Sequence, residues 1–284
     1  MYIGHKFESL VGNLRTTNHL TVSDRYHKIT RRLNLAFWGL DSTTRNSRYV
    51  GSYGRGTAIK GFSDVDMLMV LPYDTYAKFN AYRSNGQSAL LQQVKLAVKN
   101  TYPLTDVGGD GQVVVVNFSD GTRFEIVPAF LNKNETYTYP DSNDGGQWRI
   151  CNPVAEIFAI NEYNKKYNKK VEHLVRMMKA WKVRYDVPIT GMLLETLAMQ
   201  FMDNWEYNDK SYNWYDWMAR DFFKYLSIQD REQVYWKAKG SGQYVWRTGA
   251  FEFKAQSAFN LAEKAAQDED DSLWKQIFGA YYTG

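Results

Sequence analysis

RYVGSYGRGTAIKGFSDVDMLMVLP, residues 48–72, decides how the chain is read. A strand as apolar as MLMVLP begins with two carboxylates one residue apart, Asp64 and Asp66, just after a loop carrying four glycines. Side chains in a strand alternate between faces, so Asp64 and Asp66 point one way while Val65, Met67 and Met69 point the other. Two carboxylates on one spot repel and need a cation or donors to compensate them. Divalent cations such as Mg²⁺ take oxygen ligands, typically one or two carboxylates together with substrate phosphates. A third carboxylate is needed to hold two metal ions. Glu125 supplies it best, mid-strand in TRFEIVPAF with Phe124 and Ile126 on the opposite face. Asp120 is already accounted for by the hairpin turn SDGT. The glycine loop directly follows a short strand, so Gly51 and Ser52 can open a helical turn whose N–H groups and hydroxyl grip a triphosphate. No Gly-Lys-Ser/Thr follows at the required spacing, which excludes a Walker A ATPase loop.

Working outward, SDRYHKITRRLNLAF reads as an amphipathic helix starting at Ser23 or Asp24, with Tyr26, Ile29, Leu33 and Phe37 on one face. RYVGS is a short strand, DVDMLMVLP a second, and QVVVVNFSDGTRFEIVPAF two strands joined by a tight turn. Leu90, Leu91, Val94 and Val98 mark one face of a further helix. The first half is α+β. YPDSNDGGQWRICNP is a turn-rich connector, giving a first domain over 1–150 and a helical domain over 151–284. In the second, KVEHLVRMMKAWKVRY aligns Val171, Leu174, Val175, Met178, Trp181 and Tyr185, with Arg176, Lys179 and Lys182 in a row beside them. TGMLLETLAMQFMDNW, SYNWYDWMARDFFKYL and FKAQSAFNLAEKAAQDEDDSLWKQIF read as three more helices, the acidic QDEDD, inside the last or beside it, as a solvated face.

Composition sets outer limits. The 284 residues are 44% hydrophobic and 23% charged, which suits a globular protein of one large or two modest domains. No apolar run reaches the length of a membrane span and the first twenty residues lack a secretory core, so a cytoplasmic protein is expected. The single cysteine, Cys151, excludes an internal disulfide and reads as a buried structural thiol. His5, His19, His27 and His173 show no metal-ligand spacing. A net charge of +4 does not announce a duplex-binding protein.

GSYGRGT followed by SDVDM, with FEIVP further on, resembles the polymerase-β-type nucleotidyltransferase superfamily. With GGQWRICNP, RMMKAWK and LWKQIFG, the similarity narrows to the bacterial CD-NTases, which carry a SMODS domain and are relatives of cyclic GMP-AMP synthase; it runs from Ser23 to Phe278. The resemblance implies an α+β fold with a polymerase-β-like core, a mixed sheet flanked by helices, plus a C-terminal helical lobe, and an active site in the cleft between them. It implies a synthase that condenses nucleoside triphosphates, ATP and a second one, into a cyclic di- or trinucleotide as an antiphage alarm signal. By that resemblance Gly51 and Ser52 hold the donor triphosphate, while Asp64, Asp66 and Glu125 are catalytic and hold two Mg²⁺ or Mn²⁺ ions. The third position is often aspartate in the superfamily, and here it is the longer glutamate. Lys179 matches a lysine that reaches the triphosphate, Lys182 assists it one turn on, and Asn161, in AINEYNKK, lies where such enzymes approach base or ribose. From the residues alone, Lys179 reads as a solvated helix flank, and Asn161 and Asn164 as polar helix positions. Activation by duplex DNA is not expected, since no zinc-binding insertion is present. An operon-encoded regulator, or an enzyme that conjugates the terminal Gly284, fits as partner.

Two other readings share parts of this pattern. A template-independent nucleotidyltransferase acting on RNA, protein or a small molecule would use the same carboxylates, though no basic run supports an RNA groove. A catalytically silent nucleotide sensor would be free to lose one of the three, and all are present.

Overall fold

A computed structural model of the chain describes residues 2–283. In chain order, α1 (Ile3–Leu14) and α2 (His19–Trp38) precede β1 (Ser47–Tyr49), the single turn α3 (Gly51–Gly54) and β2 (Val65–Val70). Helices α4 (Tyr73–Asn80) and α5 (Gly86–Lys99) lead to β3 (Asp106–Asp110), β4 (Val113–Asn117), β5 (Arg123–Leu131), β6 (Tyr137–Asp141) and β7 (Gln147–Cys151). Then come α6 (Pro153–Lys166), α7 (Lys170–Arg184), α8 (Gly191–Asn204) and α9 (Tyr215–Ser227), the hairpin β8 (Tyr235–Lys237) and β9 (Tyr244–Trp246), α10 (Glu252–Asp268) and α11 (Asp271–Phe278). The chain forms two compact units. One comprises Asn18–Gly54 and Ser63–Val154; the other comprises Met1–Thr17, Arg55–Phe62 and Ala155–Gly284.

The first unit is built on a mixed sheet in the order β1-β2-β5-β4-β3, with β6 on β5 and β7 on β6. Only β2 and β5 run parallel. The period-2 pattern sorts the faces as its chemistry demands. Val65, Met67, Met69, Val114, Val116, Phe124 and Ile126 pack on one face against Tyr26, Ile29 and Leu33 of α2 and Leu90, Leu91, Val94 and Val98 of α5. Leu68 lies on the other face with Val50, Ala129 and Tyr137. Helix α2 starts a turn before Ser23, because Val22 extends the same buried stripe backward. YPDSNDGGQWRICNP is no linker: Tyr137–Asp141 and Gln147–Cys151 pair antiparallel, and the NDGG cluster is their loop. Buried Asp141 anchors that loop, accepting from the Asn143 N–H at 3.1 Å, Gln112 Nε2 at 3.1 Å and the Arg149 guanidinium. The boundary expected at 150/151 thus falls inside β7, and Cys151, opposite Tyr137, is part-buried rather than buried.

The second unit packs α1 and α6 to α11 around one apolar core that includes Val171, Leu174, Val175, Met178 and Trp181, the stripe read from α7. Not everything beyond residue 151 is helix, since β8 and β9 form a hairpin with Trp236 and Val245 turned inward. The long last helix is two: Glu269 adopts a left-handed φ of 53°, and Asp270 caps α11 by accepting from the Ser272 N–H at 2.8 Å. The acidic run therefore makes a break and a cap, the roles Asp favours at helix starts. The first turns of the chain, given no element above, form α1. Its Phe7, Leu10, Val11 and Leu14 are buried, with Phe7 edge-on to Trp274 at 5.1 Å. Gly284 lies outside the described residues.

Candidate active site

Asp66 of β2 stands directly opposite Glu125 of β5 in the parallel register, so both side chains leave the sheet on one face. Asp64, two residues earlier and 48% exposed at the side chain, precedes the strand on the same face. Into this group reaches Arg123, two residues before Glu125 and therefore on its face. Arg123 donates to Glu125 Oε1 from Nε at 3.1 Å and from Nη2 at 2.8 Å. It also lies 3.5 Å from Asp64 Oδ2 and 3.7 Å from Asp110 Oδ2. Partial burial pushes the Asp64 carboxyl up, the Glu125 charge adds to this and Arg123 opposes it. The contacts of Arg123 hold its own guanidinium above the ordinary range, the bond to Glu125 first among them. Arg123 and Asp110 were not singled out in the sequence; the same-face i, i+2 relation to Glu125 was the available signal.

Gly51 completes the carboxylate group. Its φ is +55°, and a Cβ there would overlap the Asp66 carboxylate, so only glycine lets the loop pass so close. The Val50 N–H donates to the Asp66 carbonyl at 2.9 Å, and the Gly54 N–H to the Val50 carbonyl at 2.8 Å, closing the turn that carries part-buried Ser52.

The donors suit a hard cation: carboxylate oxygens on one sheet face, a guanidinium already standing among them as a positive charge, and backbone packed against Asp66. Among the described residues, no three carboxylate, imidazole or thiol groups close into a finished metal site. Glu125 is engaged by Arg123 instead.

Lys179, Lys182 and Asn161 belong to the helical unit, the carboxylates to the sheet unit. Lys179 is no solvated flank: it is 8% exposed, and its Nζ donates to the Thr57 carbonyl at 3.1 Å and Oγ1 at 2.9 Å and pairs with Glu195 Oε1 at 3.2 Å. Thr57 and Arg55 also donate to Glu195, and Arg55 Nη1 lies 3.4 Å from Glu156, which accepts from Ser241 at 2.9 Å. Arg176, one turn before Lys179, donates to the Gly56 carbonyl at 2.8 Å. The cationic row on α7 thus grips residues 56–57, the second half of the glycine stretch. Burial alone would raise the Glu195 carboxyl, but Arg55, Lys179 and Thr57 outweigh it and hold it low. Burial lowers the Lys179 ammonium against the pull of Glu195. Lys182 is part-buried one turn on, Asn161 is exposed on α6, and Asn164 accepts from the Glu172 N–H at 2.9 Å, a structural role.

A glycine turn against an Asp-x-Asp strand, with a carboxylate on the neighbouring parallel strand, defines the nucleotidyltransferase class of fold. The sequence model of the Second Messenger Oligonucleotide or Dinucleotide Synthetase (SMODS) domain matches residues 1–164, more than half of the chain, and the chain belongs to that family. A protein described as a probable cyclic nucleotide synthase of Bacillus cereus (strain VD146) is 24% identical over 203 residues, which cover 62% of this chain and 60% of that protein. The alignment therefore spans less than two thirds of that relative. Among solved structures, Escherichia coli MS115-1 CdnC with ATP superposes with a TM-score of 0.73 at 14% identity, covering 100% of this chain and 99% of that one. CdnC in complex with HORMA-deltaN superposes at 0.70 and 15% identity, covering 98% and 96%. The Bradyrhizobium diazoefficiens CD-NTase CdnG in complex with GTP gives 0.72 at 12% identity, covering 97% and 94%. The chain has the fold of the bacterial CD-NTases, as its motifs imply. No helix among the described residues is long and apolar enough to cross a membrane.

Proposed function

We propose that the chain condenses nucleoside triphosphates into a cyclic di- or trinucleotide messenger, releasing pyrophosphate, in cytoplasmic antiphage signalling. The observation that carries this reading is the pairing of Asp66 with Glu125 across adjacent parallel strands, with Asp64 beside them, in a member of the SMODS family. Asp64, Asp66 and Glu125 would hold two Mg²⁺ or Mn²⁺ ions, which when bound supply the Lewis acidity that activates a hydroxyl and neutralises pyrophosphate. Gly51 lets the Ser52 turn sit against Asp66, so its N–H groups and hydroxyl face the donor phosphates. Held there, the donor presents its α-phosphorus to the 3′ or 2′ hydroxyl of an acceptor nucleotide in line; the new P–O bond forms as the bond to pyrophosphate breaks. A terminal hydroxyl of the linear product then attacks the α-phosphorus of its own 5′-triphosphate, and the ring closes as a second pyrophosphate leaves. Within the helical unit Lys179 and Arg176 fix residues 56–57, and Lys179, Lys182 and Asn161 keep the substrate-binding roles that the resemblance implies. ATP bound to CdnC and GTP bound to CdnG support ATP and a second nucleoside triphosphate as substrates, and the HORMA complex of CdnC supports an operon-encoded regulator.

The test is incubation with the four α-labelled nucleoside triphosphates and Mg²⁺ or Mn²⁺, followed by phosphatase. A compact resistant product, absent in Asp64→Asn, is expected. Label found only on added RNA, protein or small molecule, or no resistant product with the operon partners present, overturns the reading.

A further inference from the structure

Glu125 stands opposite Asp66, and Arg123 takes its Oε1 in two hydrogen bonds. The same guanidinium touches Asp64 and, more loosely at 3.7 Å, Asp110, whose side chain is 73% exposed at the end of β3. One cation thus serves three carboxylates. A divalent ion held by Asp64, Asp66 and Glu125 would be repelled by that guanidinium. Five donors in a rigid fork allow Arg123 to release Glu125 while keeping a carboxylate partner, and Asp110 is the partner already within reach.

We infer that Arg123 is a positioning residue that holds Glu125 away from the aspartate pair until a divalent cation displaces it, and that Asp110 receives the displaced guanidinium. The inference rests on the metal-binding reading of Asp64, Asp66 and Glu125. Arg123 stands in for the cation in its absence and sets the cation concentration at which the third ligand is recruited. Without Asp110 the handover has no acceptor, and Arg123 stays on Glu125.

Mn²⁺ binding to the full chain without nucleotide, followed by electron paramagnetic resonance or calorimetry, tests this without turnover. The wild type binds Mn²⁺ and Asp66→Asn does not. Arg123→Gln binds about tenfold more tightly, Arg123→Lys falls between, and Asp110→Asn binds several-fold more weakly. In the double variant R123Q/D110N, the Asp110 change has no further effect. Equal or weaker binding by Arg123→Gln overturns the inference, as does additivity in the double variant, which is what mere loss of nearby charge produces. If the wild type binds no Mn²⁺, or Asp66→Asn binds it equally well, the metal reading itself falls and takes the inference with it.

Discussion

Two charge clusters follow one another along the glycine stretch, and they are opposites. Around Glu195 the carboxylate is wholly enclosed and its oxygens are taken by Arg55, Lys179 and Thr57. Around Asp64 and Glu125 the carboxylates are part-exposed and, with Asp110, share the Arg123 guanidinium. A saturated buried cluster admits no ligand without losing a partner; an open cluster with excess negative charge invites a cation. The first fixes the backbone of residues 55–57, and the second leaves room for chemistry.

Breaking the closed cluster should have the largest effect. Glu195→Ala takes the carboxylate from buried Lys179 and part-buried Arg55 and is expected to cost about 3–5 kcal/mol, read from urea unfolding; a loss of only a few tenths would mean that water already serves the site. In the open cluster the cost moves from stability to activity. Asp66→Asn should reduce cyclic-product formation by at least about 100-fold while the melting temperature stays near that of the wild type, because Asn keeps the shape of Asp and removes only charge; a strongly lowered melting temperature with activity intact would reverse the roles of the two clusters. Gly51→Ala probes the hinge of the comparison. Its left-handed φ and the overlap with Asp66 should cost about 1–3 kcal/mol and reduce turnover beyond what the lost stability explains, measured at a temperature where the variant is folded.

A last effect, absent at neutral pH and seen only on acidification, bears on the helical unit. His173 Nδ1 lies 2.8 Å from the Tyr215 hydroxyl, and burial pushes the imidazole down to about 3, with Arg176 adding to this. The unfolded chain takes up a proton near pH 6.5 and the native one does not until about 3. Stability contributed by the neutral ring is therefore present above that unfolded value and falls on acidification, by up to about 1.4 kcal/mol per pH unit. In His173→Gln the stability–pH curve between 6.5 and 4 should flatten; an unchanged slope would assign the loss to other groups.

Where burial and periodicity act together, the elements were legible. The alternation of Val65, Met67 and Met69 against Asp66, and of Phe124 and Ile126 against Glu125, appears in the sheet as read, as does the α7 stripe. Legibility failed where one residue type serves two roles. Asn143, Asp144 and the glycines beside them mark a linker and a hairpin loop equally well, and the acidic residues 268–271 mark a solvated face and a helix cap equally well. Trp236 and Val245 sit on strands of three residues, too short for a period to register.

The sequence by itself determined the carboxylate triplet, its shared face and the glycine turn beside it, because strand alternation is a local property of the backbone. Only the tertiary structure decided which charge met which. Lys179 and Glu195 lie sixteen positions apart on α7 and α8, and Thr57 joins them from more than a hundred positions away. Arg123 could be placed on the face of Glu125 from spacing, but its hold on Asp64 and Asp110 depends on strand order β2-β5-β4-β3, and Coulomb energy follows distance in space rather than in sequence.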